Sequence, residues 1–295
     1  MPKWYDIITD MEIIALILTI LIVFVIVISA IDNNRLIVSR YSLSSEKIKK
    51  DCTIAFLSDL HGNTHGNDNQ KLIDAVNACD PDIIVMGGDM VTSRAGEAHE
   101  AAIKRAVDLV ASFADKKVFY GIGNHEYRMY LYREDFGDNF DKLAEGIKGA
   151  KAVLLRNEGK YLEEFNIDIQ GLEIERKYYK RGSKVIMEPS YVREMTGERN
   201  KDHYRILLAH NPEFYDAYSS EADLVLSGHF HGGIVRFPFI GGMVSARLSL
   251  FPKYDGGIYD LNDSKMVVSK GLGSHTLPLR IFNPCELCII DIKKV

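Results

Sequence analysis

Five short polar motifs in this chain each directly follow a run of apolar residues. They are Asp59-Leu60-His61, Gly87-Gly88-Asp89, Gly123-Asn124-His125-Glu126, a single His210, and Gly228-His229-Phe230-His231. Each apolar run has the length of a buried strand, so each motif stands where a strand is predicted to end. Strand ends along one edge of a sheet converge on a single crevice. The sequence therefore predicts that these side chains lie together in space.

The side chains of these motifs are ligands for divalent cations. They offer carboxylate, amide and imidazole donors and no sulfur, a set that suits Mn²⁺, Fe or Zn²⁺ better than a soft metal. Seven candidate ligands are too many for one ion but suffice for two ions that share a bridging group. Those candidates are Asp59, His61, Asp89, Asn124, His210, His229 and His231. Two cations with two carboxylates would keep a net positive charge, which can bind a phosphate group.

In their order along the chain, the motifs D-x-H, G-D, G-N-H-E, H and G-H-x-H resemble those of the calcineurin-like metallophosphoesterase superfamily. The run from Gly271 to Arg280 and the apolar N-terminal segment are similar to the bacterial membrane-associated YkuE/YaeI-like subgroup. The resemblance implies a metallophosphoesterase domain over residues 51–295, an α/β four-layer α/β/β/α sandwich preceded by one transmembrane helix. Phe230 departs from the usual Thr between the two histidines, and we expect its side chain to point away from the metals.

The resemblance also implies a role for each motif residue. One cation would be held by Asp59, His61 and His231. The other would be held by Asn124, His210 and His229. Asp89 would bridge the two ions, and His125 would be the catalytic residue that faces the substrate, where it stabilises the phosphoryl oxygens or protonates the leaving group. The implied reaction is hydrolysis of a phosphodiester or pyrophosphate bond by a hydroxide that two divalent cations activate, with Mn²⁺ favoured over Fe or Zn²⁺.

Residues next to the metal motifs are candidate substrate contacts. They are Arg94, Tyr127, Arg128 and His65. A basic insertion over residues 175–201 is rich in Lys, Arg and Tyr, and two interpretations of it stay open. It is either a cap over a lipid-linked substrate or a solvated loop whose glutamates dilute the charge.

An apolar segment near the N-terminus, residues 13–31, carries no charge over nineteen residues. As a helix it would be about 28 Å long, close to the hydrocarbon thickness of a bilayer. The apolar part of a cleaved signal peptide spans only roughly 7–15 residues and follows a basic segment. Residues 1–12 instead contain one Lys and three acidic residues. The sequence predicts an uncleaved transmembrane anchor, flanked by residues 1–12 and followed by a polar, basic linker over residues 32–50.

The basic residues beside this segment predict the orientation of the chain. The N-terminal side has Lys3, whereas the C-terminal side has five basic residues, namely Arg35, Arg40, Lys47, Lys49 and Lys50. This bias places the catalytic domain in the cytoplasm, at the cell membrane. Four cysteines without a recognisable metal pattern indicate unpaired thiols in a reducing compartment. The net charge of −5 gives no reason to expect a nucleic-acid partner.

Several functions remain open at the level of sequence. The substrate is expected to be a phosphorylated small molecule or a lipid-linked one, with a UDP-2,3-diacylglucosamine-type pyrophosphatase as one possibility. The alternative is a catalytically silent scaffold that binds metal and other proteins. A redox role for the Cys-x-x-Cys motif of Cys285 and Cys288 is not expected, because no helix is predicted after the motif that would lower the pKa of a thiol.

Overall fold

The computed structural model describes residues 4–94, 96–180, 185–237, 239–244, 250–274 and 278–295. The α-helices are α1 (Trp4–Asn34), α2 (Gln70–Asn77), α3 (Glu97–Ala111), α4 (Asn124–Leu131), α5 (Arg133–Phe136), α6 (Asn139–Gly149), α7 (Pro189–Thr196) and α8 (Tyr215–Tyr218). The first seven strands are β1 (Leu36–Ser45), β2 (Cys52–Leu57), β3 (Ile83–Met86), β4 (Lys117–Gly121), β5 (Val153–Leu155), β6 (Glu158–Leu162) and β7 (Ile167–Gly171). The other seven are β8 (Tyr204–Leu208), β9 (Leu224–Ser227), β10 (Val235–Phe237), β11 (Gly241–Val244), β12 (Gly257–Leu261), β13 (Ser264–Val268) and β14 (Cys285–Lys294). Short 3₁₀ turns are formed by Asn67–Asn69, Arg176–Tyr179 and Pro212–Phe214.

Two six-stranded sheets form the centre of the fold. Their strand orders are β1-β14-β2-β3-β4-β5 and β12-β13-β9-β8-β7-β6. In β2, Ile54 and Phe56 pack between the two sheets, whereas Ala55 and Leu57 pack under helices α2, α3 and α6. Because both faces of the strand are covered, its sequence is continuously apolar rather than alternating. Helices α7 and α8 cover the outer face of the second sheet. These layers confirm the predicted α/β/β/α sandwich.

The parallel strands place the polar motifs at one end of the sandwich. Strands β2, β3 and β4 run parallel in the first sheet, and β8 and β9 run parallel in the second. The two sheets meet beyond these strand ends, where the His229 N–H donates to the carboxylate of Asp59 at 3.0 Å and Nδ1 of His210 donates to the carbonyl of Gly87 at 2.9 Å. The motifs therefore converge as the sequence predicts.

The predicted linker over residues 32–50 is wrong for most of its length. Helix α1 continues to Asn34, and Leu36–Ser45 forms the edge strand β1, which pairs in parallel with β14 over ten residues. One face of an edge strand is exposed, so polar residues alternate with apolar ones in LIVSRYSLSS and hide the strand among loop-like composition. Strand β1 thus follows α1 after the single residue Arg35.

One helix in the described part of the chain is long and apolar enough to cross a membrane. The candidate span, Asp10–Asn34, contains the predicted segment 13–31, and almost none of its surface is buried in the domain. From Asp10 onward, only the last turns of α1 contact the domain. There Ser29 donates a hydrogen bond to the carbonyl of Pro278, and Asp32 accepts one from the N–H of Asn283.

Candidate metal centre

The motif residues sit in sharp turns just after their strands. Strand β2 ends at Leu57, β3 at Met86 and β9 at Ser227. After these ends, the backbone enters the left-handed region at five non-glycine positions. These are Asp59, His61, Asp89, His229 and His231, with φ between 51° and 73°. Such angles are uncommon outside glycine and cluster at functional sites. Asp59 and His61 therefore converge through these turns, which lie beyond the end of β2.

The first group of donors consists of Asp59, His61 and His231, all of them buried. The Nε2 atoms of His61 and His231 are 3.1 Å apart, and Oδ1 of Asp59 lies 3.4 Å from Nε2 of His231. The carbonyl of Gly273 accepts from Nδ1 of His231 at 3.0 Å, which fixes the tautomer and turns the Nε2 lone pair towards the other donors. Burial lowers the pKa of His231 and so favours the neutral form that ligates metals.

The second group combines Asp89, His210 and His229. Nε2 of His210 lies 3.2 Å from Oδ2 of Asp89, while its Nδ1 donates to the carbonyl of Gly87 at 2.9 Å. Asn124 begins α4 beside this group, and its Oδ1 is a buried acceptor with no hydrogen-bond donor among the residues that the structure describes. A buried amide oxygen normally has a partner, and a cation would provide one.

Asp89 connects the two groups. Its Oδ2 lies 3.2 Å from Nε2 of His210 and 3.9 Å from Nε2 of His61, which belongs to the first group. Its Oδ1 is engaged elsewhere, because it accepts the N–H of His125 at 2.8 Å. A single carboxylate oxygen is thus left to face both groups, as a bridging ligand requires.

The charges of the centre favour cations. Burial lowers the pKa of His210, but the carboxylates of Asp89 and Asp59 outweigh that effect and raise it to about 10. The pKa of Asp89 is raised by burial, yet the neighbouring imidazoles hold it well below its usual value. The acidic side chains of Asp59 and Asp89 lie together in a buried crevice, which gives the crevice a potential that attracts cations. Together with the all-oxygen and nitrogen donor set, this potential fits divalent cations such as Mn²⁺, Fe²⁺ or Zn²⁺.

Glu126 holds the turns behind the ligands in place, a role that the sequence analysis did not assign. Its buried carboxylate accepts hydrogen bonds from the N–H groups of Asp89, Met90 and Gly123 at 2.9–3.0 Å and from the hydroxyl of Tyr120 at 3.0 Å. The sequence feature that could have identified this role is the position of Glu126 as the third residue of α4, where an acidic side chain can cap the start of a helix. Glu126 therefore joins β3, β4 and α4 at the metal centre.

Glycines allow the carboxylates to approach the backbone. A Cβ atom at Gly228 would overlap the carboxylate of Asp59, and one at Gly123 would overlap that of Asp89. Phe230, which replaces the usual Thr, is buried, and its ring lies 5.4 Å from the ring of His229. This substitution leaves both flanking histidines within their donor groups.

His125 lies beside the first group, with its ring 5.2 Å from that of His61 in an edge-on arrangement. The N–H of Ser93 donates to Nδ1 of His125 at 2.9 Å, and the hydroxyl of Ser93 is equally close. Because Nδ1 accepts from a backbone N–H, the neutral ring carries its proton on Nε2. The structure therefore presents His125 as an N–H donor at Nε2.

Two of the four predicted substrate contacts line a cavity of about 270 Å³ next to Asn124. Its lining consists of Asn124, Tyr127, Arg128, Leu131, Arg176, Tyr179 and Lys180. Arg94 is exposed and does not line this cavity. The proposed role of His65 needs correction, because its ring is buried and Nε2 lies 2.6 Å from the carbonyl of Leu272. We assign His65 to support of that loop rather than to substrate binding.

The start of the basic insertion belongs to the same region. Residues 176–179 form a 3₁₀ turn in which Tyr178 is buried and the ring of Tyr179 lies 5.1 Å from that of His229. Further along, the insertion forms the helix α7, and Arg193 of this helix pairs with Glu221. Arg181 and Lys184 lie outside the described residues. Sequence analysis did not single out Arg176, Tyr179 or Lys180 as neighbours of the metal centre, because only the folded chain brings them there.

Comparison with known proteins places these features in a family context. Residues 52–233 match the family model described as calcineurin-like phosphoesterase. An uncharacterized metallophosphoesterase of Campylobacter jejuni is 32% identical over 254 residues, which cover 83% of this chain and 60% of the relative. The uncharacterized metallophosphoesterase YkuE of Bacillus subtilis is 27% identical, with coverages of 77% and 73%. A zebrafish protein named a transmembrane protein with metallophosphoesterase domain is 27% identical, with coverages of 82% and 53%. The chain thus spans little more than half the length of two of these relatives.

Proposed function

The chain belongs to the calcineurin-like phosphoesterases, a family of metal-dependent hydrolases of phosphate esters, and on this basis we propose that it cleaves phosphodiester or pyrophosphate bonds in membrane-associated, lipid- or nucleotide-linked substrates. The observation that carries the proposal is the pair of donor groups joined by Oδ2 of Asp89. A scaffold without catalysis would not need the Nε2–H of His125 directed at this centre.

In the proposed mechanism, the donor groups would hold the two divalent cations that the family binds. One cation would be held by Asp59, His61 and His231, the other by Asn124, His210 and His229, with Asp89 shared. When bound, the cations supply Lewis acidity for the phosphoryl oxygens and lower the pKa of the attacking water. Asn124 contributes a neutral oxygen, so it binds metal without reducing the positive charge. We propose Mn²⁺, which the family resemblance favours, as the native metal; the oxygen and nitrogen donors would also accept Fe²⁺ or Zn²⁺.

His125 would act directly on the substrate. With Nδ1 occupied by the N–H of Ser93, its Nε2–H can donate to a phosphoryl oxygen while the ring stays neutral. A hydrogen bond aimed at an oxygen that gains negative charge in the transition state lowers the barrier. Of the two roles that the family resemblance left open, this geometry favours stabilisation of the phosphoryl oxygens over protonation of the leaving group.

The cavity beside Asn124 supports a substrate with a second anionic group. It is lined by Arg128, Arg176 and Lys180, and none of the three forms a salt bridge with a residue in the described ranges. The rings of Tyr127 and Tyr179 complete its walls. Three cations that form no salt bridge with any described residue favour a ligand that brings its own negative charge. A pyrophosphate would place one phosphate on the metals and the other in this cavity.

The activity is tested with the full-length chain in detergent and Mn²⁺. We expect hydrolysis of a nucleoside-diphosphate-linked pyrophosphate and of an aryl phosphodiester at least about tenfold faster than of an aryl monoester, a difference worth roughly 1.4 kcal/mol in the barrier. The matched variant is Arg176→Gln. It should raise KM for the pyrophosphate about tenfold and leave KM for the aryl diester unchanged, because only the pyrophosphate reaches the cavity. Metal bound without turnover of any ester would favour the scaffold instead.

We also propose that α1 anchors the chain in the cell membrane with the catalytic domain in the cytoplasm. The long apolar surface of α1 is not covered by the domain, and one relative is named as a transmembrane protein. The lysine and arginine bias favours the cytoplasmic side for residues after α1. The four cysteines, all unpaired, are compatible with a reducing compartment.

The orientation is tested with a reporter fused after Val295. We expect a fluorescent protein at this position to mature in the cytoplasm and alkaline phosphatase to remain inactive there. Fusions after Met1 should give the reverse pattern. An active alkaline phosphatase at the C-terminus would place the catalytic domain outside and contradict the charge argument.

A further inference from the structure

A cluster of exposed apolar side chains lies on and around the hairpin of β10 and β11. Its members are Phe237, Phe239, Ile240, Leu250, Phe251 and Phe282, and we refer to them as the apolar patch. Phe239 and Ile240, at the tip, are 109% and 64% exposed. Most of the patch lines one shallow groove, and the rings of Phe237 and Phe282 lie 5.9 Å apart. Contiguous apolar patches on soluble surfaces are small, so a patch of this kind indicates a binding surface.

Backbone hydrogen bonds fix the hairpin to the segment that contacts α1. The N–H of Arg236 donates to the carbonyl of Ile281 at 2.9 Å, and the N–H of Ile281 donates to the carbonyl of Ile234 at 3.0 Å. On its other side, the same segment donates from the N–H of Arg280 to Oγ of Ser29. The base of the hairpin is therefore separated from α1 by a single extended segment, a spacing of roughly 5 Å per strand.

The contacts of α1 show at which level of the helix this segment lies. From Asp10 onward, the residues of α1 that are partly or fully covered are Val25, Ile28, Ser29, Asp32 and Asn33. Their spacing of three, one, three and one places them on one side of the helix. The other sides of the same turns, including Phe24 and Val27, remain exposed and apolar. At 1.5 Å per residue, Ser29 lies only about 3 Å from the end of the apolar run at residue 31.

The segment that contacts α1, residues 278–283, and the hairpin therefore lie at the boundary between hydrocarbon and headgroups, provided that α1 spans the membrane as proposed above. Phenylalanine, leucine and isoleucine side chains at this boundary can enter the bilayer by about 5–10 Å. Without a bilayer, the same apolar side chains would remain exposed to water. We propose that the apolar patch inserts into the phospholipid bilayer beside α1 and holds the catalytic domain against the membrane at a second point.

This attachment reaches the metal centre through Asn283. Its side-chain amide donates to the carbonyls of His231 and Gly233 at 2.7 and 2.6 Å, and its backbone N–H donates to Asp32 of α1. The loop that carries the ligand His231 is thus bonded to the same segment as the hairpin and the anchor. Insertion of the patch would hold the centre near the headgroups, where a lipid-linked phosphate is found.

Tryptophan quenching by brominated lipids tests the insertion in the full-length chain. Trp4, the only tryptophan in the sequence, is first replaced in Trp4→Phe. Single tryptophans are then placed by Phe239→Trp in the patch, by Phe24→Trp in α1 and by Tyr161→Trp on β6. Tyr161 is a matched control because it is an exposed aromatic residue at the opposite edge of the second sheet from β12, whose Tyr259 lines the patch groove.

In phosphatidylcholine vesicles with brominated acyl chains, we expect Phe239→Trp and Phe24→Trp to lose emission and Tyr161→Trp to keep it. Bromines close to the headgroups should quench Phe239→Trp more than bromines deep in the chains. Quenching of Phe24→Trp without quenching of Phe239→Trp would overturn the insertion and leave the anchor intact, whereas no quenching of Phe24→Trp would refute the anchor itself. A blue-shifted Phe239→Trp emission that bromines do not quench would mean that protein, such as a second copy, covers the patch, and would also overturn the inference.

Discussion

Asp89→Asn should release the bound cations and abolish hydrolysis together. The amide keeps the shape of the side chain, and its oxygen can still accept the N–H of His125, but it lacks the negative charge that faces both donor groups. Loss of a residue that only hydrogen-bonds to a metal ligand lowers metal affinity or activity roughly 10–100-fold. Loss of the shared carboxylate, which faces both donor groups itself, should therefore lower activity by more than about 100-fold. Elemental analysis of the purified full-length protein, together with phosphodiester turnover, measures both effects.

A matched control separates this effect from loss of folding. Asp168 is a buried aspartate outside the metal centre, where it pairs with Arg205 at 3.0 Å. Asp168→Asn should lower the melting temperature but retain the metal content of the wild type. After chelation, added Mn²⁺ should restore activity to wild type and to Asp168→Asn, and not to Asp89→Asn. An Asp89→Asn protein with full metal content and unchanged turnover would refute the bridging assignment.

The convergence of the ligands could be predicted because each ligand follows a strand buried on both faces. Asp59 follows β2 and Asp89 follows β3, and a continuous apolar run marks each strand in the sequence. The turn conformations could not be predicted in this way. Asp59 and His229 adopt positive φ because surrounding contacts, such as the bond from the His229 N–H to the Asp59 carboxylate, stabilise them. Those contacts join positions far apart in sequence and exist only in the folded chain.

The features that the sequence did not reveal share this long-range origin. Strand β1 forms because β14, some 250 residues later, offers it a complete parallel partner. His65 is held by the carbonyl of Leu272. Arg176 lines the cavity beside Asn124 and belongs to a 3₁₀ turn that the buried side chain of Tyr178 anchors. Similarly, Phe237 and Phe282 are unremarkable apolar residues in sequence and form a patch only because Ile281 pairs with the hairpin.

His125→Ala should retain the metal ions and turn over slowly. His125 lies within 4.8 Å of ligand atoms of His61 and Asp89, but His61 also belongs to the first donor group and Asp89 to the second, and neither of these groups includes His125. The backbone N–H that His125 donates to Asp89 is preserved by alanine. Loss of the Nε2–H removes one hydrogen bond to charge that develops in the transition state, an effect worth roughly 100- to 1,000-fold in kcat. KM should change little. Steady-state kinetics and elemental analysis check the two expectations, and Ser93→Ala, which keeps the backbone donor to Nδ1, should stay close to wild type.

The dependence on leaving group decides how His125 acts. If it stabilises phosphoryl oxygens, as the N–H of Ser93 at its Nδ1 suggests, His125→Ala should lose the same factor on diesters with nitrophenol and with alkyl alcohol leaving groups. If it instead protonates the leaving oxygen, nitrophenol esters should largely escape the loss, because a nitrophenolate leaves without a proton. A neutral ring that already accepts at Nδ1 must break that bond before it can become an imidazolium. The hydrogen bond from Ser93 therefore predicts equal losses, and a steep dependence on leaving-group pKa in the variant would show that His125 is a general acid.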